Sequence, residues 1–225
     1  MGFRELNLKS SYETLIEDTV QSFYVPVLEQ ATAYDRIAGY FSSTSLALAA
    51  RGIAGLIKNH GTMRLLVSPN LTPDDYREIR NKGAGSQNYI EETMLRDLDC
   101  LGNSFRDNHV RALGWMLAHG LLEIRIACVI NDEQEDTGAL FHQKVGILYD
   151  ETGDSLSFSG SINETASGWL QNSEEFKVFC EWDDGQRGYY QSDKEKFSDF
   201  WNGLRPYVKT LEPSDAFRAK STRSR

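Results

Sequence analysis

The run from Phe141 to Val178, FHQKVGILYDETGDSLSFSGSINETASGWLQNSEEFKV, constrains the fold more than any other stretch of the chain. Residues 140–149, 155–159 and 176–182 are short apolar runs bounded by Gly-, Asp- and Ser-containing turns, and each reads as a strand. Alternate side chains of a strand share a face, so His142 and Lys144 point the same way, roughly 7 Å apart. Phe141, Val145 and Ile147 then face the opposite layer, and Gly146 clears space beside the polar pair. Two polar groups buried without partners would cost about 1 to 3 kcal/mol each, so the pair needs hydrogen bonds or a ligand.

Gly160-Ser161-Ile162-Asn163 follows the second run. The glycine allows close backbone approach, while Ser161 and Asn163 supply neutral donors two positions apart. Glu174 can accept a hydrogen bond from one nitrogen of His142 and fix which tautomer presents the other. A one-residue slip in the strand would exchange it for Glu175. A histidine, a cation, two small polar groups and a carboxylate make the inventory of a phosphate-handling site.

These pieces in this order, His142-Gln143-Lys144, Gly160-Ser161-Ile162-Asn163 and Asn172-Ser173-Glu174, resemble the phospholipase D-like (HKD) superfamily, and especially its small bacterial endonucleases. More loosely, the chain with its strand from Arg36 to Phe41 is similar to the phospholipase D-like domains that precede DEAD/DEAH-type helicases in bacterial defence systems. The resemblance implies an α/β fold, an α-β-α sandwich with a mixed central sheet. It also implies metal-independent phosphodiester cleavage through a phosphohistidine, with no cofactor. In that reading His142 attacks phosphorus and Lys144, Ser161 and Asn163 hold the phosphoryl oxygens. The catalytic set is His142, Lys144, Asn163 and Glu174. The family's site uses two facing motifs and this chain carries one, so a homodimer sharing one site is expected. One position departs from the pattern: the motif's Asp would fall at Tyr149, and Asp150 comes one later.

Elsewhere, Leu15, Ile16, Thr19, Val20 and Phe23 recur at helical spacing, which predicts a helix near 11–23 ending before Pro26. Residues 35–41 read as a buried strand, with Ser42, Ser43 and Thr44 placed to cap a helix or, at its bare N–H groups, to hold a phosphate. Residues 63–68 and 122–129 read as strands, and 72–120 as a helical insertion. Ser192-Asp193-Lys194-Glu195 reads as a capping box for a last helix that Pro206 closes. The organisation expected is one domain over 1–210 and a polar, basic tail or linker over 211–225.

At 225 residues the chain is long enough to bury a core without staples. Cys100, Cys128 and Cys180 sit in apolar runs and read as reduced core residues of a cytoplasmic protein. The start lacks the apolar run of a signal peptide or membrane span, and Leu6 rules out the myristoylation pattern. The acidic loop 131–137 lacks the oxygen spacing of a calcium site. A net charge of −9 argues against tight unaided binding of nucleic acid. The expected substrate is nonetheless DNA, gripped with help from a fused or associated helicase. The alternatives are an inactive nucleic-acid-binding and dimerisation module, and a phospholipase, which the missing membrane-binding stripe disfavours. His60, His109 and His119 lie at expected helix ends and are poor candidates for a second catalytic histidine.

Overall fold

The computed structural model describes residues 2–38, 53–68, 116, 119–133, 137, 139, 141–161 and 173–212. Among the described residues eight strands form one sheet: β1 (Ser11–Glu13), β2 (Ala31–Ala38), β3 (Thr62–Val67), β4 (Leu122–Val129), β5 (Lys144–Asp150), β6 (Ser155–Gly160), β7 (Glu175–Cys180) and β8 (Val208–Leu211). Their order is β1-β7-β6-β5-β2-β3-β4-β8. β2, β3 and β4 run parallel, and every other pairing is antiparallel. The sheet is therefore mixed, as the resemblance implies.

Each face carries a helical layer. On one, Tyr34, Leu65, Ile124, Leu148, Phe158 and Phe176 pack under α1 (Val25–Gln30) and the N-terminal segment, with Phe3, Phe23 and Leu28 fully buried. On the other, Ile37, Leu66, Ala127, Val145 and Ile147 pack under α2 (Arg187–Trp201) through Tyr190, Phe197, Phe200 and Trp201. Alternation along the central strands divides the two cores.

Two helix expectations are corrected. Residues 11–13 form β1 instead of the start of a helix, because Tyr12 stacks on Phe176 at 5.2 Å as the strand pairs with β7. Leu15 and Ile16 are exposed, so the apparent stripe is not one buried face. The helix that does form starts as a π-helical turn, Val20–Tyr24, and runs through Pro26 into α1. Proline is tolerated because it stands in the first turn of the α-helical part, where a missing N–H costs little.

The capping box also fails, since α2 begins at Arg187 and Ser192 to Glu195 lie inside it. Asp193 is buried there and accepts a hydrogen bond from Ser157 Oγ at 3.0 Å, tying the helix to β6. After α2 the chain returns as β8 on the edge of β4, a strand the sequence reading missed. Of the expected insertion 72–120, only 116, 119 and 120 are among the described residues; Ser42 to Thr44, Cys100, His109 and the tail beyond 212 lie outside them. Cys128 and Cys180 are free thiols. Among the described residues no helix is long and apolar enough to cross a membrane, and no His/Cys/Asp/Glu group could hold a metal ion.

Candidate active site at one edge of the sheet

Register brings the motif residues together. Ala38 at the end of β2 pairs with both Val67 at the end of β3 and Lys144 at the start of β5. Gly160 at the end of β6 pairs with Phe176 near the start of β7. One edge of the sheet thus carries the C-terminal ends of the parallel strands, the usual place for ligand sites in open α/β sheets.

Lys144 is 5% exposed and sits on the α1 face, sharing it with Arg36, Gly146 and Phe158. Its Nζ lies 3.0 Å from His142 Nδ1 and 2.9 Å from Nε2. Being nearly equidistant, it singles out neither nitrogen and leaves the tautomer open to another partner. His142 itself precedes β5 and is exposed. The strand therefore begins at Lys144, later than expected, and the histidine stands just off its end. Burial pushes the Lys144 ammonium below the ordinary lysine range; Glu174 opposes that shift and Arg36 reinforces it.

Glu174 stands two residues before Phe176, on the same face as Lys144. Thr14 fixes its backbone twice: Thr14 N–H donates to its carbonyl at 3.0 Å, and Glu174 N–H donates to Thr14 Oγ1 at 3.0 Å. Glu175 takes the other face. Its carboxylate accepts from Ser11 Oγ at 2.8 Å and pairs with Lys177, away from His142.

Ser161 continues the ladder, its N–H donating to Glu175 O at 2.9 Å and its Oγ accepting from Glu175 N–H at 3.1 Å. The hydroxyl is thus engaged with β7 in this structure, so to reach a phosphoryl oxygen it would have to exchange that partner. Asn163 lies outside the described residues. Gly160 is needed for the approach of β6 to β7, because a Cβ there would stand 2.1 Å from Glu175 O and 2.6 Å from Phe176 Cα. Backbone cannot step aside as a side chain does. Gly160→Ala is expected to cost about 1 to 3 kcal/mol and to displace Glu174, so that activity falls more than the population of folded protein does. Denaturant melts beside activity of the folded fraction check it.

Gly146 has a different use from the one its sequence position suggested. The Phe158 ring fills the space over it, and a Cβ would stand 2.2 Å from Phe158 Cε1. Arg36, which the sequence placed only in a strand, is 1% exposed and its guanidinium sits 4.8 Å from the Phe158 ring centroid. The detectable signal was the Asp35-Arg36 pair inside an apolar strand. The two charges go to opposite faces, Asp35 pairing with Arg64 at 2.6 and 2.7 Å beneath α2.

Asp150 is at the far end of β5 from Lys144, roughly 20 Å away at strand rise. It accepts from Phe3 N–H at 2.7 Å, from Thr152 N–H and Oγ1 at 2.9 and 2.8 Å, and from Asp154 N–H at 2.9 Å. A register shift does accompany it, but on β2, between Ala31 and Ala33. His60 and His119 precede β3 and β4 and so lie at the opposite edge of the sheet from His142.

No protein-family model matches the sequence, and no curated protein matches it. The structure is similar to Nuc from Salmonella typhimurium, a phospholipase D family member, with 14% identity, 90% of this chain and 98% of that one covered, and a TM-score of 0.46. It is similar to NucT from Helicobacter pylori at 14% identity, with 83% and 94% covered and a TM-score of 0.46. Phosphatidylserine synthase from Haemophilus influenzae Rd KW20 gives a TM-score of 0.53 at 15% identity over 89% of this chain and 39% of that one. At such identity the likeness to the synthase speaks for the fold alone, together with the mixed eight-stranded sheet. The chain has a mixed α/β fold similar to that of the synthase.

Proposed function

We propose that this protein is a metal-independent phosphodiesterase that cuts DNA through a phosphohistidine, in a site shared by two copies of the chain. The observation that carries the reading is the buried Lys144 ammonium against the exposed His142 ring, with Glu174 on the same face. A ring nitrogen of His142 would attack phosphorus as the bond to the leaving oxygen breaks. Lys144 and Asn163 would take up the charge developing on the phosphoryl oxygens. Ser161 would join them only after releasing Glu175.

The leaving oxygen needs a proton, and a second histidine is the group suited to supply it. Of the other histidines among the described residues, His60 and His119 are a strand's length away, about 17 to 20 Å, at the other edge. That distance supports a two-fold contact in which His142 of the partner subunit gives the proton, then takes one from the water that hydrolyses the phosphohistidine. The acidic balance, net −9, supports a partner that grips DNA, such as a fused or associated helicase in phage defence or restriction.

Single- and double-stranded DNA incubated with the protein in EDTA is expected to be cut, and a labelled substrate is expected to leave an acid-labile phosphoenzyme. Loss of cleavage on chelation would sink the mechanism. Full activity in a strictly monomeric protein would sink the shared site. Release of headgroup from phosphatidylcholine vesicles with DNA left intact would keep the phosphodiesterase and discard the nuclease.

A further inference from the structure

Exposed apolar side chains gather at the edge of the sheet that carries the site. Among the described residues five large ones are exposed, Leu15, Ile16, Tyr189, Leu204 and Tyr207. Leu15 and Ile16 stand just past β1 and Thr14, whose backbone is bonded to that of Glu174. Tyr207 immediately precedes β8 on the other flank, where its carbonyl accepts from Ile130 N–H at 2.9 Å, and Leu204 lies between it and the end of α2. Tyr189 alone of the five lies away from this edge, at the start of α2, and it stacks on Phe179 at 5.1 Å. Lys144 begins the fourth strand of the eight, three strands from β1 and four from β8. At about 4.8 Å per strand, the two apolar pairs stand roughly 14 and 19 Å to either side of the site. Exposed Glu13 and Asp18 border the first pair. Exposed Lys209 borders the second, where Arg205 is held by Asp199 at 3.0 Å.

We propose that this edge docks a second copy of the chain, with Leu15 and Ile16 of each subunit against the partner's Leu204 and the partner's Tyr207. The proposal rests on the shared-site reading and names the surface that would build that site. Lys144 and Glu174 lie on the α1 face, so two copies bring both sets to one anion when their α1 faces lie on the same side. A two-fold axis normal to the sheet does this, and it carries the β1 flank of one copy onto the β8 flank of the other. An axis along the width of the sheet would put the two lysines on opposite sides and stack each flank on itself, acid against acid. Crossed flanks set acid against base and apolar against apolar. The area agrees with such a contact. With exposures of 57 to 78%, the four side chains offer about 450 Å² per copy, taking roughly 150 to 200 Å² for each. A stable interface buries about 800 Å² per partner, of which about 56 to 65% is apolar, so the four cover most of the apolar part. A lipid surface is the rival occupant, and a net charge of −9 disfavours an anionic one.

The test incubates Ile16→Cys protein with Tyr207→Cys protein to exchange subunits and adds a short bismaleimide, the native chain giving the background from its own cysteines. A linked heterodimer is expected from the mixture, and nothing above background from either variant alone. Sedimentation without substrate is the second readout. Ile16→Ser and Tyr207→Ser are each expected to weaken self-association about tenfold or more, as loss of an interface anchor does, with melting close to native. If Tyr207→Ser does not fold, Leu204→Ser takes its place with the same expectation. Links formed only within a single variant, folded serine variants that associate within twofold of native, or a native protein that sediments as a monomer would each overturn the proposal. So would binding to phosphatidylcholine or phosphatidylserine vesicles that Ile16→Ser abolishes while self-association persists, an outcome that makes this edge a lipid-facing surface. No readout needs cleavage, so a protein that links as expected but cuts nothing refutes the phosphodiesterase reading and leaves the docking surface standing.

Discussion

Replacing His142 with asparagine is expected to lower kcat for phosphodiester cleavage by about 10⁴-fold or more, because a covalent route without its nucleophile leaves only positioning and charge stabilisation. The fold should hardly notice. His142 is exposed and precedes β5, so no ladder hydrogen bond depends on its ring, and an asparagine Oδ1 can take over as acceptor for Lys144 Nζ. Exposed substitutions of this kind usually stay within about 0.5 kcal/mol, which for a chain of this size is about 1 to 2 °C in melting temperature. Lys144→Met should cost less, about 10²- to 10³-fold, since it removes charge stabilisation and keeps the nucleophile. Cleavage rates beside calorimetric melts check both variants. Equal products from native protein and His142→Asn would end the case for this histidine, and melting that falls in step with activity would make its role structural.

The strands were legible because each carries one period across a short, well-bounded run. Leu122 to Val129 reads apolar and polar in turn and is β4 to the residue. The motif pieces were legible because a polar residue in an apolar strand has to be explained. Lys144 is such a residue, at 5% exposed. What the chain hid were features decided by partners distant in sequence. β1 exists because β7 is there to pair with Tyr12, and the helical spacing over 11–23 carries no trace of that neighbour. β8 is short and partly exposed, and only the edge of β4 makes it a strand.

The site shows the same division. That Glu174 and Glu175 face opposite ways is a matter of register, which Thr14 and Ser11 settle from the other end of the chain. Gly146 read as clear space beside His142 and Lys144 because its neighbour across the sheet, Phe158, is twelve residues on in sequence and adjacent only once β6 folds back. Arg36 escaped for the same reason: its stacking partner belongs to a strand two positions over in the sheet.

Asp150→Ala is expected to destabilise the protein by about 3 to 5 kcal/mol, the range for breaking a buried charged network, and to leave kcat of the folded fraction close to native. Four donors converge on this one 5% exposed carboxylate, three from the β5–β6 turn and one, Phe3 N–H, from the chain start. Removing it orphans buried N–H groups and unpins Phe3, which is fully buried in the larger core. Asp150→Asn keeps one acceptor oxygen and should cost less, because Oδ1 alone serves Thr152 and Asp154 while Oδ2 serves Phe3. At about 2 to 4 °C per kcal/mol the alanine variant should melt roughly 6 to 20 °C lower. The distance to Lys144, roughly 20 Å along β5, is what separates stability from chemistry here. A variant that melts like the native protein would show the four hydrogen bonds to be dispensable. A folded variant that has lost cleavage would instead carry Asp150 into the mechanism, and with it the whole displaced motif.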